Sequence, residues 1–270
     1  MFYIVSTPIG NLQDITLRAV EILKQVDYIA CEDTRHTHKL LQAHGISGKL
    51  IAYHDHSGEK ERHKIVSLLQ QGQDVALVSD AGTPMISDPG YKLINAVHKA
   101  KIEVTALPGA CAVINALVLS GLPSNQFYFG GFFPANETAL QTMLNNIKHL
   151  PASLVFYDRA SKIISHLQSV LDIMGDRNVC LAREMTKQFE QTIHSTISEL
   201  MEKFIQTPPK GELVLIIAGS QGDFASWDEV DAFLQIALKT QSVKDAVQEA
   251  VDLFPFRKKE IYQRALEMSS

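Results

Sequence analysis

The chain has 270 residues, of which 46% are hydrophobic and 20% are charged. These fractions are typical of folded globular proteins and exclude a disordered chain, and the length suits one large domain or two compact ones. The formal net charge of −5 provides no overall attraction for nucleic acid, so an RNA partner would need a local basic patch or a folded ribonucleoprotein surface.

Several features favour a cytoplasmic protein without a membrane partner. No apolar run approaches the roughly 20 residues that cross a bilayer. The N-terminus enters a strand-like run at residues 2–5, without the basic segment and cleavage site of a secretion signal. Cys31, Cys111 and Cys180 lie far apart, so neither a metal cluster nor a disulfide framework is indicated.

The first half alternates short apolar runs with helical patterns of about ten residues, which predicts an α/β domain with a largely parallel sheet. The predicted strands are residues 2–5, 28–31, 75–78 and 103–107. The predicted helices are residues 17–26, 36–44, 60–71, 91–101 and 110–120.

The second half predicts another α/β domain, followed by a helical stretch. Its predicted strands are residues 127–129, 153–157, 179–183, 192–195 and 213–218, and its predicted helices are 139–149, 162–174 and 197–205. Residues 226–268 have a helical pattern that Pro255 interrupts, with a basic cluster at Arg257, Lys258 and Lys259. We therefore predict domains at 1–121 and 122–222 and a small helical appendage at 223–270.

Three loops rich in proline and glycine follow strands of the first half, at residues 6–11, 79–90 and 108–111. The carboxyl ends of parallel strands lie at one edge of a sheet, so the loops should meet there and form a ligand cleft. The second loop has two aspartates, two glycines and two prolines, more special positions than a simple connection needs. An ordinary turn is the alternative for the first loop taken alone. Neither GxxxxGK[ST] nor GxGxxG occurs, so no nucleoside triphosphate or dinucleotide site is predicted.

Two charged clusters could contact a polar substrate. Glu32 and Asp33 follow the second strand with Arg35 nearby, although an N-cap with a flanking ion pair explains them equally well. His54 and His56 have the HxH spacing that puts both imidazoles on one face of a strand. Because no third ligand is evident, we expect them to contact solvent or substrate rather than a metal.

A set of distinctive segments runs across the chain: TPIGNL at 7–12, CEDTR at 31–35, HDH at 54–56, SDAGTPMISDPG at 79–90, LPGACA at 107–112, SGLP at 120–123, GFFP at 131–134, AREMTK at 182–187 and KGELVL at 210–215. Taken together, these segments resemble the tetrapyrrole (corrin/porphyrin) methylase superfamily, and within it a group that methylates small-subunit ribosomal RNA.

The resemblance implies two α/β domains of the tetrapyrrole-methylase type, a cleft between them that binds S-adenosylmethionine, and a homodimer. It implies transfer of a methyl group to the ribose 2′-hydroxyl of a cytidine in the decoding region of small-subunit ribosomal RNA. The implied cofactor contacts are Pro8, Gly10, Asp80, Ala81, Gly82, Thr83, Pro84, Ile86, Cys111, Ala112, Tyr157, Met185 and Glu212.

The transfer requires that the hydroxyl lose a proton, and a carboxylate or histidine within hydrogen-bond reach could accept it. Glu32, Asp33, His54 and Asp88 are the candidates, and the sequence does not rank them.

Two segments depart from the residues that are usual in the group. Residues 135–140 lack the usual basic residues, and residues 158–162 read Asp-Arg-Ala-Ser-Lys where the group usually has Glu-Ser-Pro-His-Arg. Both segments lie in the second half, where substrate contacts are expected, so contacts with RNA are weaker or relocated.

Two other functions compatible with the same fold stay open. One is methylation of a small tetrapyrrole or another metabolite, and the other is a non-enzymatic S-adenosylmethionine-binding module. The CEDTR and HDH segments favour RNA. Residues 239–264 contain six basic and four acidic side chains, enough to steer docking onto an assembled small subunit but not to hold free RNA.

Overall fold

Two five-stranded sheets occupy the first 220 positions of a computed structural model that describes residues 1–54, 58–220, 227–254 and 256–269. The strands are β1 (Phe2–Val5), β2 (Tyr28–Cys31), β3 (Leu50–Ala52), β4 (Val75–Val78), β5 (Val104–Leu107), β6 (Phe127–Phe132), β7 (Ser153–Arg159), β8 (Asn178–Arg183), β9 (Gln191–Thr196) and β10 (Glu212–Ile217).

The helices are interleaved with these strands, which confirms the predicted α/β class. They are α1 (Leu17–Gln25), α2 (Thr34–Ala43), α3 (Glu59–Gln70), α4 (Tyr91–Lys99), α5 (Ala112–Leu119), α6 (Glu137–Ile147), α7 (Ile163–Met174), α8 (Ile197–Gln206), α9 (Trp227–Ala237), α10 (Val243–Leu253) and α11 (Lys258–Ser269), with a short 3-10 helix at Leu12–Asp14.

The first sheet is parallel throughout, with the order β3-β2-β4-β1-β5. All four residues of β4 are buried, because α3 and α4 cover one face of the sheet and α1 and α2 cover the other. Local caps fix where the helices begin. The hydroxyl of Thr16 accepts a hydrogen bond from the Ala19 amide, and the carboxylate of Asp33 accepts one from the Arg35 amide.

The second sheet is mixed, with the order β6-β7-β10-β8-β9. Only β6 and β7 run parallel, and the remaining pairs are antiparallel. The register between β6 and β7 shifts between Phe129 and Phe132. Such irregularities re-aim side chains at sheet edges, and this one precedes an exposed aromatic ring at Phe132.

Helix α5 connects the two sheets. Its buried side chains Val113, Ala116 and Leu117 pack with residues of β7, β8 and β10, so the helix covers the second sheet although it follows the first along the chain. The predicted boundary after residue 121 therefore separates α5 from the sheet against which it packs.

The C-terminal helices α9, α10 and α11 form their own small core, which includes Val230, Leu234, Val247 and Ile261. The sequence predicted one helical stretch with a break at Pro255, a residue that lies outside the described part. The structure has a further break between α9 and α10, where Ser242 caps the second helix.

Two other details of the sequence-based assignment were wrong. Strand β3 was not predicted, because a three-residue edge strand leaves too little apolar pattern to recognise. His54 lies beyond the end of β3 and is exposed, so it is not on a strand, and His56 lies outside the described residues.

Candidate substrate and cofactor cleft

The three Pro/Gly loops meet at the carboxyl edge of the first sheet, because they follow the neighbouring strands β4, β1 and β5. The hydroxyl of Thr83 in the second loop donates a hydrogen bond to the Ala110 carbonyl in the third, over 3.0 Å. The hydroxyl oxygens of Thr83 and Ser6 also lie 3.0 Å apart, which joins the first loop to the other two. The loops therefore form one hydrogen-bonded surface.

Thr7 and Gly82 are paired through their backbones, with the amide of each donating to the carbonyl of the other over 2.9 and 3.0 Å. Gly82 has a φ of 85°, a conformation that favours glycine. A β-carbon there would also lie 3.3 Å from Cγ2 of Ile9. Glycine at position 82 thus allows the second loop to pack closely against Ile9 of the first loop.

The second loop contains strained backbone conformations. Met85 has a φ of 72° and Ser87 a φ of 64°, although neither is glycine. Non-glycine residues in this region cost about 1–3 kcal/mol each and cluster at binding and catalytic sites. This loop therefore has the local character of a functional site.

A cavity of about 430 Å³, here called the central cleft, lies between these loops and the second sheet. Its size is typical of a small-molecule site. The first half contributes Ile9, Ala81, Gly82, Thr83, Ile86, Ser87, Asp88 and Ala112 to its lining. The second half contributes Phe132, Tyr157, Asp158, Arg159, Ala160, Met185, Gly211, Glu212, Leu213 and Val214.

Tyr157 stands at the centre of the second-sheet wall. Its ring lies against Phe129 and Phe132, with centroid distances of 5.2 and 5.3 Å. Burial raises the pKa of Tyr157 above its usual range, and the nearby Cys111 and Asp88 raise this pKa further. The phenol therefore stays neutral and supplies a rigid, largely apolar surface to the cleft.

An ion-pair network supports the rim of the cleft. Nζ of Lys187 lies 3.0 Å from Oε1 of Glu184 and 2.8 Å from Oε2 of Glu212. The Glu212 amide also donates to Oε1 of Glu184 over 2.9 Å. This amide and Lys187 hold the pKa of Glu184 below its ordinary value. The AREMTK and KGELVL segments are thereby fixed beside each other.

Most of the residues implied as cofactor contacts line the central cleft. They are Ala81, Gly82, Thr83, Ile86, Ala112, Tyr157, Met185 and Glu212. The others, Pro8, Gly10, Asp80, Pro84 and Cys111, lie in the same loops but do not line the cavity.

Asp80 and Gly10, which do not line the cavity, contact other parts of the protein instead. Oδ1 of Asp80 accepts a hydrogen bond from the Asp33 amide over 3.1 Å, which links the loops after β4 and β2. Gly10 lies against residues 185–187 of the second half.

The structure distinguishes among the four candidate proton acceptors by their positions relative to the cleft. Asp88 lines the cleft, whereas Glu32, Asp33 and His54 are not among its lining residues. Asp33 caps α2 and pairs with Arg35, whose NH2 lies 2.7 Å from Oδ2. The hydrogen bonds from the Arg35 side chain and amide hold the pKa of Asp33 well below its usual range, which makes this carboxylate a weak base.

Several lining residues were not singled out from the sequence. Ile9, Ser87 and Gly211 lie within motifs that were recognised, so their neighbours gave a signal. Phe132 lies in the GFFP segment and Arg159 in the departing segment 158–162, but neither was predicted to line the cleft, because they reach it through the irregular register of β6 and the end of β7.

In the described part of the chain, no group of three or more His, Cys, Asp or Glu side chains is arranged to hold a metal ion. That the protein needs no metal stays a prediction, which activity after exhaustive chelation would test. Among the residues that the structure describes, no helix combines the length and apolar character needed to cross a membrane.

Comparison with known families fits this geometry. Residues 1–201 match the family described as Tetrapyrrole (Corrin/Porphyrin) Methylases, and the chain therefore belongs to that family. Residues 225–269 match a second family, described as the RsmI C-terminal HTH domain, which covers helices α9 to α11.

Curated relatives extend the similarity over nearly the whole chain. A Rickettsia prowazekii protein named ribosomal RNA small subunit methyltransferase I is 43% identical over 96% of this chain and 94% of its own length. An Escherichia coli O157:H7 protein of the same name is also 43% identical, over 98% of this chain and 94% of its own. The chain is thus a member of the ribosomal RNA small subunit methyltransferase I group within the family.

Solved structures share the fold at low sequence identity. The uroporphyrin-III-C-methyltransferase of Thermus thermophilus has a TM-score of 0.55 and 18% identity, over 80% of this chain and 93% of its own. A cobalt precorrin-4 methyltransferase has a TM-score of 0.59 and 15% identity, over 80% of this chain and 94% of its own. These similarities support the predicted fold and carry no information about substrate.

Proposed function

We propose that the protein is an S-adenosylmethionine-dependent methyltransferase that acts in the cytoplasm on the ribose 2′-hydroxyl of a cytidine in the decoding region of small-subunit ribosomal RNA. The observation that carries the proposal is the central cleft, where the hydrogen-bonded loops of the first sheet face Tyr157, Met185 and Glu212 of the second. The names of the relatives support the RNA substrate.

The residues of the cleft fit S-adenosylmethionine. Apolar side chains of Ile9, Ile86 and Met185 suit the adenine ring and the hydrocarbon part of the methionine. Gly82 packs closely against Ile9, and both residues line the first-sheet wall of the cleft. The carboxylate of Asp88 suits the positive charges of the cofactor, and Glu212 adds a second carboxylate that Lys187 already pairs. When bound, the cofactor supplies a methyl group that is attached to a positively charged sulfur. Once the methyl group is transferred, the sulfur is left as a neutral thioether.

The protein's own contribution is positioning and management of the proton. Two rigid walls that hold both reactants together can supply a large part of the rate acceleration. We assign the proton-accepting role to Asp88, because it is the one of the four candidates that lines the cleft. Tyr157, with its raised pKa, does not compete for the proton and helps to exclude water.

We further propose that the substrate is the assembled small subunit and that the enzyme acts as a homodimer. The net charge of −5 argues against capture of free RNA by phosphate contacts alone. Helix α5 exposes Ile114 and Val118, four residues apart on one face, with 45% and 74% of their surface accessible. An apolar stripe of this kind suits a subunit interface.

Methylation of a small tetrapyrrole is the weaker alternative. The solved structures whose titles name such substrates are only 15–18% identical, which is evidence for the fold alone.

Calorimetry with S-adenosylmethionine tests the cofactor assignment. The substitution Gly82→Ala should weaken binding at least 10-fold, because the new methyl group would push on Ile9, which lines the cleft. The matched control is Gly72→Ala, since Gly72 has a φ of 84° against 85° for Gly82, but a β-carbon on Gly72 would meet no other atom within 4 Å. Equal affinities for the two variants would refute the assignment of the cleft.

The substrate assignment has a separate test. Small subunits from cells that lack the gene should accept a methyl group from the purified enzyme, and mass spectrometry of the nucleosides should identify 2′-O-methylcytidine. A short RNA hairpin of the same sequence should react much more slowly. Methylation of a base, or equal rates on hairpin and subunit, would contradict the proposal.

A further inference from the structure

A second cavity of about 620 Å³, here called the side cavity, lies between α6 and α7 of the second half. It shares the residues Phe132, Asp158 and Arg159 with the central cleft. A polymeric substrate with one nucleotide in the central cleft would therefore have a neighbouring nucleotide close to the side cavity.

The two segments that depart from the group's usual residues both line this cavity. From residues 135–140 it receives Ala135, Glu137 and Leu140, and from residues 158–162 it receives Asp158, Arg159 and Lys162. Two sequence departures that are distant along the chain thus meet at one place.

A buried pair of an aspartate and a histidine forms part of one wall of the side cavity. Nδ1 of His166 lies 2.9 and 3.0 Å from the two carboxylate oxygens of Asp158, and both side chains are buried. The ring of Phe133 packs against the imidazole at a centroid distance of 5.0 Å. Because Asp158 engages Nδ1, the other ring nitrogen of His166 is the one that can bind a ligand in the cavity.

Arg159 at the end of β7 and Lys162 just before α7 flank this pair, and both are exposed. Among the described residues, neither forms an ion pair with a carboxylate, and the Arg159 guanidinium lies over the Phe132 ring at 5.8 Å. The polar groups of the helices are instead engaged locally. The Gln141 amide donates to Glu137 over 3.3 Å, and the Gln168 amide donates to Asp172 over 2.8 Å. Arg159 and Lys162 are thus the cations of this cavity, whereas the carboxylates of Glu137 and Asp172 keep their negative charge while they accept hydrogen bonds from neutral amides.

We infer that the side cavity is a substrate subsite that binds the nucleotide next to the methylated one. Its phosphate is held by Arg159 and Lys162, and its base or sugar contacts Phe132 and His166. Guanidinium and ammonium groups suit a phosphate, and an exposed aromatic ring suits a base of single-stranded RNA. This inference rests on the proposed function.

The substitution Lys162→Glu is the sharpest test. Lys162 lines the side cavity but not the central cleft, and it stands at the start of α7, where a carboxylate is favourable to the helix. A defect would therefore not arise from unfolding. The matched control is Lys203→Glu, which makes the same change of charge at an exposed position of α8.

We expect the KM for small subunits to rise at least 10-fold in Lys162→Glu while kcat stays within about twofold, and cosedimentation with subunits to weaken in parallel. The affinity for S-adenosylmethionine should not change. The logarithm of kcat/KM should depend less steeply on the logarithm of salt concentration, by about 0.7 for each phosphate that the variant no longer binds. Lys203→Glu should match the wild type in all of these measurements.

The outcomes separate this inference from the proposed function. A wild type that binds S-adenosylmethionine and methylates subunits, together with a Lys162→Glu variant of unchanged KM, would overturn the subsite alone. A wild type that fails to bind the cofactor or to methylate subunits would instead overturn the proposed function. As a second variant, Arg159→Lys should retain more subunit affinity than Arg159→Ala, and equal losses would contradict a phosphate contact at Arg159.

Discussion

Gly10 and Lys187 approach so closely that a β-carbon on Gly10 would lie 2.5 Å from Cγ of Lys187. The same carbon would lie 2.9 Å from Oγ1 of Thr186 and 3.0 Å from the Met185 carbonyl oxygen. The first Pro/Gly loop and the AREMTK segment are thus in direct contact beside the central cleft. The family resemblance implied that Gly10 contacts the cofactor, and in the structure this glycine permits close approach of the second half of the protein.

The first prediction is that Gly10→Ala destabilises the fold by about 1–3 kcal/mol, the usual cost of overpacking a close contact. It should also weaken cofactor binding, because Met185 lines the cleft and would have to move. Denaturant unfolding and calorimetry provide the two measurements.

Removing the Lys187 side chain beyond its β-carbon relieves part of the clash. The double variant Gly10→Ala/Lys187→Ala should therefore be less destabilised than the sum of the single variants. Strict additivity would show that the two residues do not press on each other.

A second prediction concerns the acid sensitivity of the Glu184–Lys187–Glu212 network. The pKa of Glu184 is lowered in the folded protein, first by the Glu212 amide and then by Lys187. A carboxylate with a lowered folded-state pKa contributes stability above its unfolded-state pKa, and this contribution disappears as the pH falls through the folded-state value. The loss should therefore appear below the ordinary glutamate range.

The substitution Glu184→Gln should lower the Tm at pH 7 by about 2–4 °C, which corresponds to ~1 kcal/mol in a protein of this size. The Tm values of variant and wild type should converge in acid. Glu202→Gln changes an exposed glutamate on α8 and serves as the control. A constant difference between Glu184→Gln and wild type from pH 7 to pH 3 would rule out the ionic contribution.

The third prediction concerns the three cysteines. Cys31 and Cys180 are buried, and burial raises the pKa of both thiols, to about 11 for Cys180. Cys111 is partly exposed and precedes α5. A thiol reagent should therefore label one cysteine rapidly in the native protein, and Cys111→Ser should abolish that labelling.

Binding of the cofactor should slow this reaction, because the adjacent Ala112 lines the central cleft. Rapid labelling of Cys180, or labelling of Cys111 at an unchanged rate with saturating S-adenosylmethionine, would contradict the packing described for the cleft.

The sequence predicted the strand pairing of the first sheet better than that of the second, although it missed β3 and located all five strands of the second sheet. Strands β1, β2 and β4 matched their predicted bounds, because strands buried on both faces appear as continuous apolar runs. The antiparallel pairing of β8 with β9 and β10 could not be obtained in this way, since strand spacing does not specify which strands become neighbours.

The candidate site also has one part that the sequence could predict and one part that it could not. The three loops could be predicted to meet because parallel strands end at one edge of a sheet. Phe132, Arg159 and His166 could not, because they come together through a register shift and through the packing of α7 on β7. The wall contributed by the first half follows from local sequence, and the opposite wall depends on tertiary packing.

The last prediction concerns the helical domain formed by the C-terminal helices α9, α10 and α11. We expect this domain to steer docking onto the small subunit through the start of α11. Residues 227–269 as a whole are not basic, because they contain more acids than bases. The bases are Lys239, Lys244, Arg257, Lys258, Lys259 and Arg264, and the acids are Asp228, Glu229, Asp231, Asp245, Glu249, Asp252, Glu260 and Glu267.

Two of the bases in this domain have structural partners. Arg264 forms an ion pair with Asp231 and lies over the Trp227 ring, and Nζ of Lys258 donates to Gln248 over 2.7 Å. Arg257 and Lys259 are exposed at the start of α11, so they are the better candidates for contacts with RNA phosphates.

The double variant Arg257→Ala/Lys259→Ala should therefore lower kcat/KM for small subunits by about 3–10-fold at low salt, because long-range attraction accelerates docking. The difference should shrink at high salt, where charges are screened. Affinity for S-adenosylmethionine should be unchanged. Lys239→Ala/Lys244→Ala removes the same charge elsewhere in the domain and is the matched control. Equal rates for both double variants at every salt concentration would mean that the start of α11 does not face the subunit.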